Sequence, residues 1–323
     1  MFRIDPFLIK LLVAVLIASL LPARGVTAEL LGWLTTFAIA LLFFMHGARL
    51  SRDAVVSGMK HWRLHAVIFA MTFVLFPVLG LIGAPLTRIY LTPELQSGLL
   101  FLCCLPATVQ SAIAFTSMAR GNVPAAVCSA SASSMLGVFI TPVLVGLLLL
   151  DTGSGSMGLQ YGIIGKIMLQ LLLPFVAGHL SRPLIGAWVA RRNAMLKQLD
   201  QGAILLVVYT AFSAAVNDGL WARTSAGSMV AVVLTSVILL SLVMLISLGL
   251  ARLMGLSVED RIVLLFCGSK KSLATGIPMA NILFASHVAG SIVLPLMVFH
   301  QIQLIASAII AGRYARRPQL KDT

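Results

Sequence analysis

Residues 64–87, 95–119, 121–150, 201–217, 224–251 and 272–312 contain no Asp, Glu, Lys or Arg. About 20 apolar residues rising 1.5 Å each cross a hydrocarbon layer about 30 Å thick as a helix. Most of these stretches are that long or longer. Of 323 residues, 59% are hydrophobic and 10% charged, against about 25% charged in a soluble domain. A water-soluble enzyme is excluded, and so is a disordered chain. A transmembrane barrel would show alternating strands of about ten residues, and these runs do not alternate. At about 20 residues per span plus short loops, the length suits roughly ten helices.

Charged residues, Pro and Gly cluster between the runs and divide the chain. They predict spans at about 7–22, 30–48, 65–87, 97–118, 123–150, 160–180, 201–217, 226–251, 261–285 and 288–312. The last two come from one uncharged run, cut at His287–Gly290. With ten spans, sixteen of the 23 Lys and Arg fall on one side of the membrane and three, Arg24, Arg88 and Arg223, on the other. Lys10, Lys166, Lys270 and Lys271 lie within spans. The net charge of +13 therefore describes topology, not nucleic-acid binding. The rich side is expected to be cytoplasmic, with both termini there. The first span has a competing reading: Arg3, Lys10, an apolar stretch and Val26-Thr27-Ala28 have the layout of a signal peptide.

The chain also divides into two similar halves, 1–155 and 156–323. Gln110-Ser111 in span 4 matches Lys271-Ser272 in span 9, Pro142 matches Pro295, and Lys10 matches Lys166, at offsets of 161, 153 and 156 residues. Five spans per half make the second repeat inverted relative to the first, a design found among secondary transporters.

Polar groups inside a span are costly and mark function. Here they concentrate in spans 4, 5, 9 and 10. The candidate binding residues are Thr108, Gln110, Ser111, Ser129, Ser133, Ser269, Lys270, Lys271, Ser272, Thr275 and Gln303. Pro106, Gly268, Gly276 and Pro278 are candidate helix breaks, which free backbone groups to face a cavity or neighbouring protein. Lys270 lies nine residues past Arg261, about 14 Å along a helix, too deep for easy snorkelling. Adjacent helical positions point about 100° apart. One lysine is thus expected to meet an anion while the other caps the carbonyls of the broken helix. A purely structural role for both is the competing reading. Lys10 and Lys166 lie nearer helix ends, where snorkelling accounts for them.

All ten carboxylates lie at termini, in loops or at span ends, which leaves no mid-membrane Asp or Glu for a proton relay or metal site. The six histidines lack ligand-like spacing. A Ser269–Lys270 nucleophile pair would need the break to bring adjacent residues together. Cys103, Cys104, Cys128 and Cys267 lie in apolar runs and read as small embedded residues.

Two stretches then resemble a known family. Cys104-Leu105-Pro106-Ala107-Thr108-Val109-Gln110-Ser111, running on to Ala119-Arg120-Gly121-Asn122-Val123, is similar to the fourth helix of the sodium/bile acid cotransporter superfamily. Gly268-Ser269-Lys270-Lys271-Ser272-Leu273, followed by Gly276-Ile277-Pro278-Met279, resembles its SBF-like branch, the one like bile acid cotransporter 7. The resemblance implies an all-α integral membrane protein of ten transmembrane helices. They form two inverted five-helix repeats, with helices 4 and 9 unwound where they cross. It further implies a core domain of spans 3–5 and 8–10, a panel domain of spans 1, 2, 6 and 7, and substrate between them.

One departure bears on coupling. The sodium-coupled members carry a glutamate and then Gln-Asn at the span 9 crossing, where this chain reads Gly268-Ser269-Lys270-Lys271-Ser272. Two further hydroxyl positions read Ala126 and Ala130.

The expected function is secondary transport of a small organic anion, like a bile acid:sodium symporter, in the cytoplasmic membrane. No enzymatic activity and no cofactor are expected, and sodium is the one candidate ion. The alternatives are a sodium-independent carrier with a lysine as built-in cation, a regulatory membrane protein without robust transport, and an anion channel.

Overall fold

The computed structural model describes residues 6–49, 61–149 and 157–317, and every regular element among them is a helix. The first third holds α1 (Pro6–Leu20), α2 (Val26–Arg49) and α3 (Trp62–Thr87), the last with a π-helical segment at Met71–Leu75. Then come α4 (Pro93–Cys104), α5 (Gln110–Met118) and α6 (Val123–Leu148). The second half holds α7 (Met157–Arg191), α8 (Asn193–Asn217), the short α9 (Leu220–Arg223), α10 (Ala226–Leu253), α11 (Val258–Gly268), α12 (Leu273–Leu283) and α13 (Ser286–Ala315).

Five of the helices start where the sequence supplies a capping side chain. Side chains of Thr92, Asn122, Ser225, Ser257 and Ser272 each accept a backbone N–H from the first turn of α4, α6, α10, α11 and α12. Each satisfies one of the donors a helix start leaves open. Pro93 and Pro124 sit in first turns, where a missing N–H costs nothing.

Among the described residues, six helices are long and apolar enough to cross a bilayer. The outer surface is apolar too: Leu184 is 88% exposed, Leu253 84% and Trp33 78%. So much exposed Leu, Val and Ile suits lipid and not water.

Several boundaries differ from expectation. α7 runs eleven residues past Leu180, and α8 begins at Asn193, so Asp200 lies inside a helix instead of at a span end. There it forms an ion pair with Arg49 of α2. The last uncharged run is cut at residues 284–285, just before the expected His287–Gly290. Lys10 is exposed at the start of α1.

α2 lies along α7, and α8 packs against both α1 and α2. In the remaining helices, α13 packs on α4 and α10, and α11 is enclosed by α3, α5, α6 and α10. The two groups meet where α8 packs on α12 and α13 and where α6 packs on α7.

The α2–α7 crossing needs glycine on both sides. A Cβ on Gly47 would overlap the Phe175 carbonyl oxygen, and one on Gly178 would overlap that of Phe44. Backbones come this close only when both residues lack a side chain. Gly178→Leu is expected to destabilise the fold by about 3 kcal/mol or more through overpacking. Gly249→Ala, where nothing lies within 4 Å, should be neutral or stabilising by at most about 1 kcal/mol. Thermal unfolding of the purified protein in detergent measures both. Equal shifts would rule out the close-approach explanation.

Candidate functional site

Pro106 ends α4, and its consequences run through five consecutive carbonyls. Leu102 O accepts from Leu105 N at 3.3 Å. Cys103 O and Leu105 O accept from Lys271 Nζ at 2.9 and 2.7 Å. Cys104 O accepts from Thr141 Oγ1 at 2.8 Å. Pro106 O accepts from Ser272 N at 2.9 Å, which joins the two unwound segments directly. On the donor side, Ala107 N donates to Ser133 Oγ at 3.0 Å. Four of these five carbonyls and the Ala107 N–H are thus paired by groups from α6 and from the second interruption, as buried backbone requires.

Lys271 is completely buried. Its third acceptor is Thr72 O, at 2.8 Å. The π segment explains why that carbonyl is free: Phe76 N reaches back to Met71 O, and the next residue, Pro77, has no N–H to give. The ammonium also stands over the Phe76 ring, 4.1 Å from its centre. Three carbonyl dipoles and a ring face surround one cation, so all three N–H donors are used.

Gln303 holds the unwound backbone that carries this lysine. Its Oε1 accepts from Lys271 N and its Nε2 donates to Lys271 O, both at 2.9 Å. A buried amide thereby replaces the helical partners this residue lost.

Lys270 is equally buried but held differently. Nζ donates to Ser111 O at 3.2 Å and lies 4.0 Å from the Phe115 ring centre and 5.1 Å from that of Phe266. It has one carbonyl where Lys271 has three. The two lysines diverge from an unwound segment, residues 269–272, and not from adjacent helical positions.

The remaining candidates divide. Thr108 and Ser111 share a hydroxyl–hydroxyl bond where α5 begins, and Ser272 Oγ donates to Thr275 Oγ1 at 2.9 Å where α12 begins. Ser129 Oγ pairs with His65 Nδ1 at 2.6 Å. Ser269, just past the end of α11, donates its Oγ–H back to Leu265 O in the last turn of that helix, a local role open to serine. Gln110 stands apart, exposed on α5 with Ala114 and Ser117.

Two expected breaks are not breaks. α12 runs without interruption through Gly276 and Pro278. Gly276 is small for packing: a Cβ there would come within 2.5 Å of Leu105 Cδ1 and Leu296 Cδ2. Pro278 lies at the middle of the eleven-residue α12 and withholds a single helical bond, the one to the Ala274 carbonyl. Sequence reasoning missed Thr72, Phe76, Phe115 and Phe266. Pro77, inside an apolar run, was the available signal for the first two.

Two interrupted helices, α4–α5 and α11–α12, joined at their unwound segments inside an apolar helical protein with lysines at the junction, are the arrangement of a membrane transporter. The profile of the SBF-like CPA transporter family matches residues 5–316, and the chain belongs to that family. It is 56% identical over 316 residues to Uncharacterized protein PA2026 of Pseudomonas aeruginosa, covering 98% of this chain and 94% of that one. It is 56% identical over 320 residues to "Putative symporter YfeH" of Escherichia coli K12, covering 99% and 96%. It is 28% identical over 314 residues to Sodium/bile acid cotransporter 7 of Rattus norvegicus, covering 95% and 92%. The family is one of multi-pass transporters, not of enzymes.

The unequal surroundings of the lysines give unequal expected costs. Lys271→Met leaves three buried carbonyls without a donor and should destabilise by about 3 kcal/mol or more. Lys270→Met leaves one carbonyl and two rings, and should cost about 1–2 kcal/mol. Denaturant unfolding of both variants in detergent micelles tests the order. A Lys270→Met loss as large as that of Lys271→Met would contradict it.

Proposed function

We propose that this protein is a secondary carrier of a small organic anion in which the Lys271 ammonium takes the place of a coupled sodium ion. The observation that carries this reading is the cage of three carbonyl oxygens, 2.7 to 2.9 Å from Lys271 Nζ. Backbone carbonyls at an unwound membrane helix are the ligands expected of a sodium site, and here a fixed cation fills them. Lys270, with one carbonyl and no carboxylate beside it, is left to meet the anion.

The proposed architecture is ten membrane spans in two inverted repeats, 1–155 and 156–323. The interrupted pairs α4–α5 and α11–α12 are the crossing helices. Support comes from the hydroxyl pairs that open the second half of each, Thr108 with Ser111 and Ser272 with Thr275. The proposed panel is α1, α2, α7 and α8, and the rest forms the core, a division that follows the packing groups. The anion would bind between them, near the exposed Gln110 face of α5. The proposed location is the cytoplasmic membrane.

A second reading, sodium-coupled symport of a bile-acid-like anion, is favoured by the name of the rat relative. Its ligands would be Ser111, Ser129, Ser133, Ser269 and Ser272 with backbone carbonyls. The hydroxyls of Ser133 and Ser269 already bond Ala107 N and Leu265 O.

The deciding experiment screens organic anions for binding to the purified protein in sodium and in choline buffers. Binding is expected to agree within about two-fold between the buffers. Lys270→Met should weaken it about ten-fold or more, the loss expected when a charge-assisted bond disappears. Strict sodium dependence, with Lys270→Met and Lys271→Met both active, would establish the second reading instead. No binding of any anion would favour a regulatory role.

Topology is tested separately. Reporter fusions at Met1 and Thr323 should both read cytoplasmic, since the basic side of a membrane protein stays inside. An external amino terminus, or cleavage after Ala28, would remove the ten-span arrangement.

A further inference from the structure

A second group of charged side chains, partly exposed, lies where α2 crosses α7, away from the paired interruptions. A Cβ on Gly47 would also come within 2.9 Å of the His179 backbone nitrogen. Arg49 is two residues beyond Gly47 and Arg182 three beyond His179, so both lie within one helical turn of that contact. Arg49 Nη1 pairs with Asp200 Oδ2 of α8. Its other edge, Nε and Nη2, is buried and has no hydrogen-bond partner among the described residues, and the same holds of His179 Nδ1. Beside it lies a cavity of about 390 Å³, lined by His179, Leu180, Arg182, Pro183, Gly186 and Ala187.

Native proteins rarely leave buried donors unpaired, and a bound ion is one of the explanations for an exception. The Nε–Nη2 edge of a guanidinium is a planar fork of two N–H groups spaced for two oxygens of one oxyanion. Asp200 occupies the other side of Arg49, so it fixes the fork without filling it. Among the described residues, this one carboxylate stands against two guanidinium groups, Arg49 and Arg182. Three donor groups on two helices suit a tetrahedral oxyanion better than a planar carboxylate, which offers two oxygens.

We infer that Arg49, His179 and Arg182 form a phosphate-binding site on α2 and α7. Arg49 holds two phosphate oxygens through Nε and Nη2. Arg182 holds the ligand from the cavity wall, and His179 contributes Nδ1 in the tautomer that protonates it. The same chemistry recognises free phosphate and the headgroup of an anionic lipid. The site stands independently of the carrier reading, because it uses none of the residues at the interruptions.

The test uses the full chain purified in detergent. One arm measures thermal stabilisation by inorganic phosphate against chloride at matched ionic strength. The other measures retention of phosphatidylglycerol against phosphatidylcholine by native mass spectrometry. Arg49→Lys keeps the charge and the Asp200 pair but removes the fork. Arg182→Gln alters only the cavity wall and carries the decision if Arg49→Lys does not fold. Wild type should respond in at least one arm, and each folded variant should bind about ten-fold more weakly or worse. A response confined to phosphatidylglycerol assigns a lipid headgroup, and one confined to inorganic phosphate assigns a soluble ligand. No response from wild type in either arm, or variants that bind like wild type, would overturn the inference.

Discussion

The bond set of Lys271 is the constraint on which the centre of this protein depends. Three helical irregularities would each be unstable alone in a membrane: the π segment of α3, the early end of α4, and the unwound residues 269–272. Each exposes carbonyls to surroundings without water, where an unpaired polar group costs several kcal/mol. One ammonium joins the first two through Thr72 O, Cys103 O and Leu105 O, and its own backbone belongs to the third. The charge is costly to bury and so are the free carbonyls. Brought together, they offset each other.

The same logic separates the neighbouring lysine. Lys270 rests on one carbonyl at 3.2 Å and on the faces of Phe115 and Phe266. Aromatic faces stabilise a cation without binding it in fixed directions. Phe115 lies on α5, whose Gln110, Ala114 and Ser117 side is exposed. Under the proposed reading, an arriving anion displaces a ring contact and gains a direct ion pair. No backbone needs to break for that exchange. The equivalent change at Lys271 would release three carbonyls at once.

Much of this was legible in the sequence, for physical reasons that differ by element. The apolar helices stood out because charge is excluded from hydrocarbon, so α3, α6 and α10 begin and end close to the charged residues that bound their runs. Pro106 marked a true interruption because the residue before it, Leu105, takes the extended conformation that a following proline favours. Gly276 and Pro278 carried the same letters with another meaning, since a glycine is also what lets Leu105 and Leu296 approach. The lysine pair was conspicuous, but the division of labour between them was not. It depends on a carbonyl freed by Pro77, almost two hundred residues away, and no local pattern encodes that pairing.

Asp200 shows the same limit from the opposite direction. Its position suggested a loop, because charge usually ends a span. The helix continues because Arg49 of α2 meets the carboxylate, and the pair sits at the edge of a crossing set by Gly47 and Gly178. Two glycines that admit no side chain hold α2 and α7 in one register, and that register decides which charged groups meet. The close approach therefore does more than pack two helices. It holds Arg49 beside Asp200, with one guanidinium edge committed to the carboxylate and the other buried without a partner among the described residues.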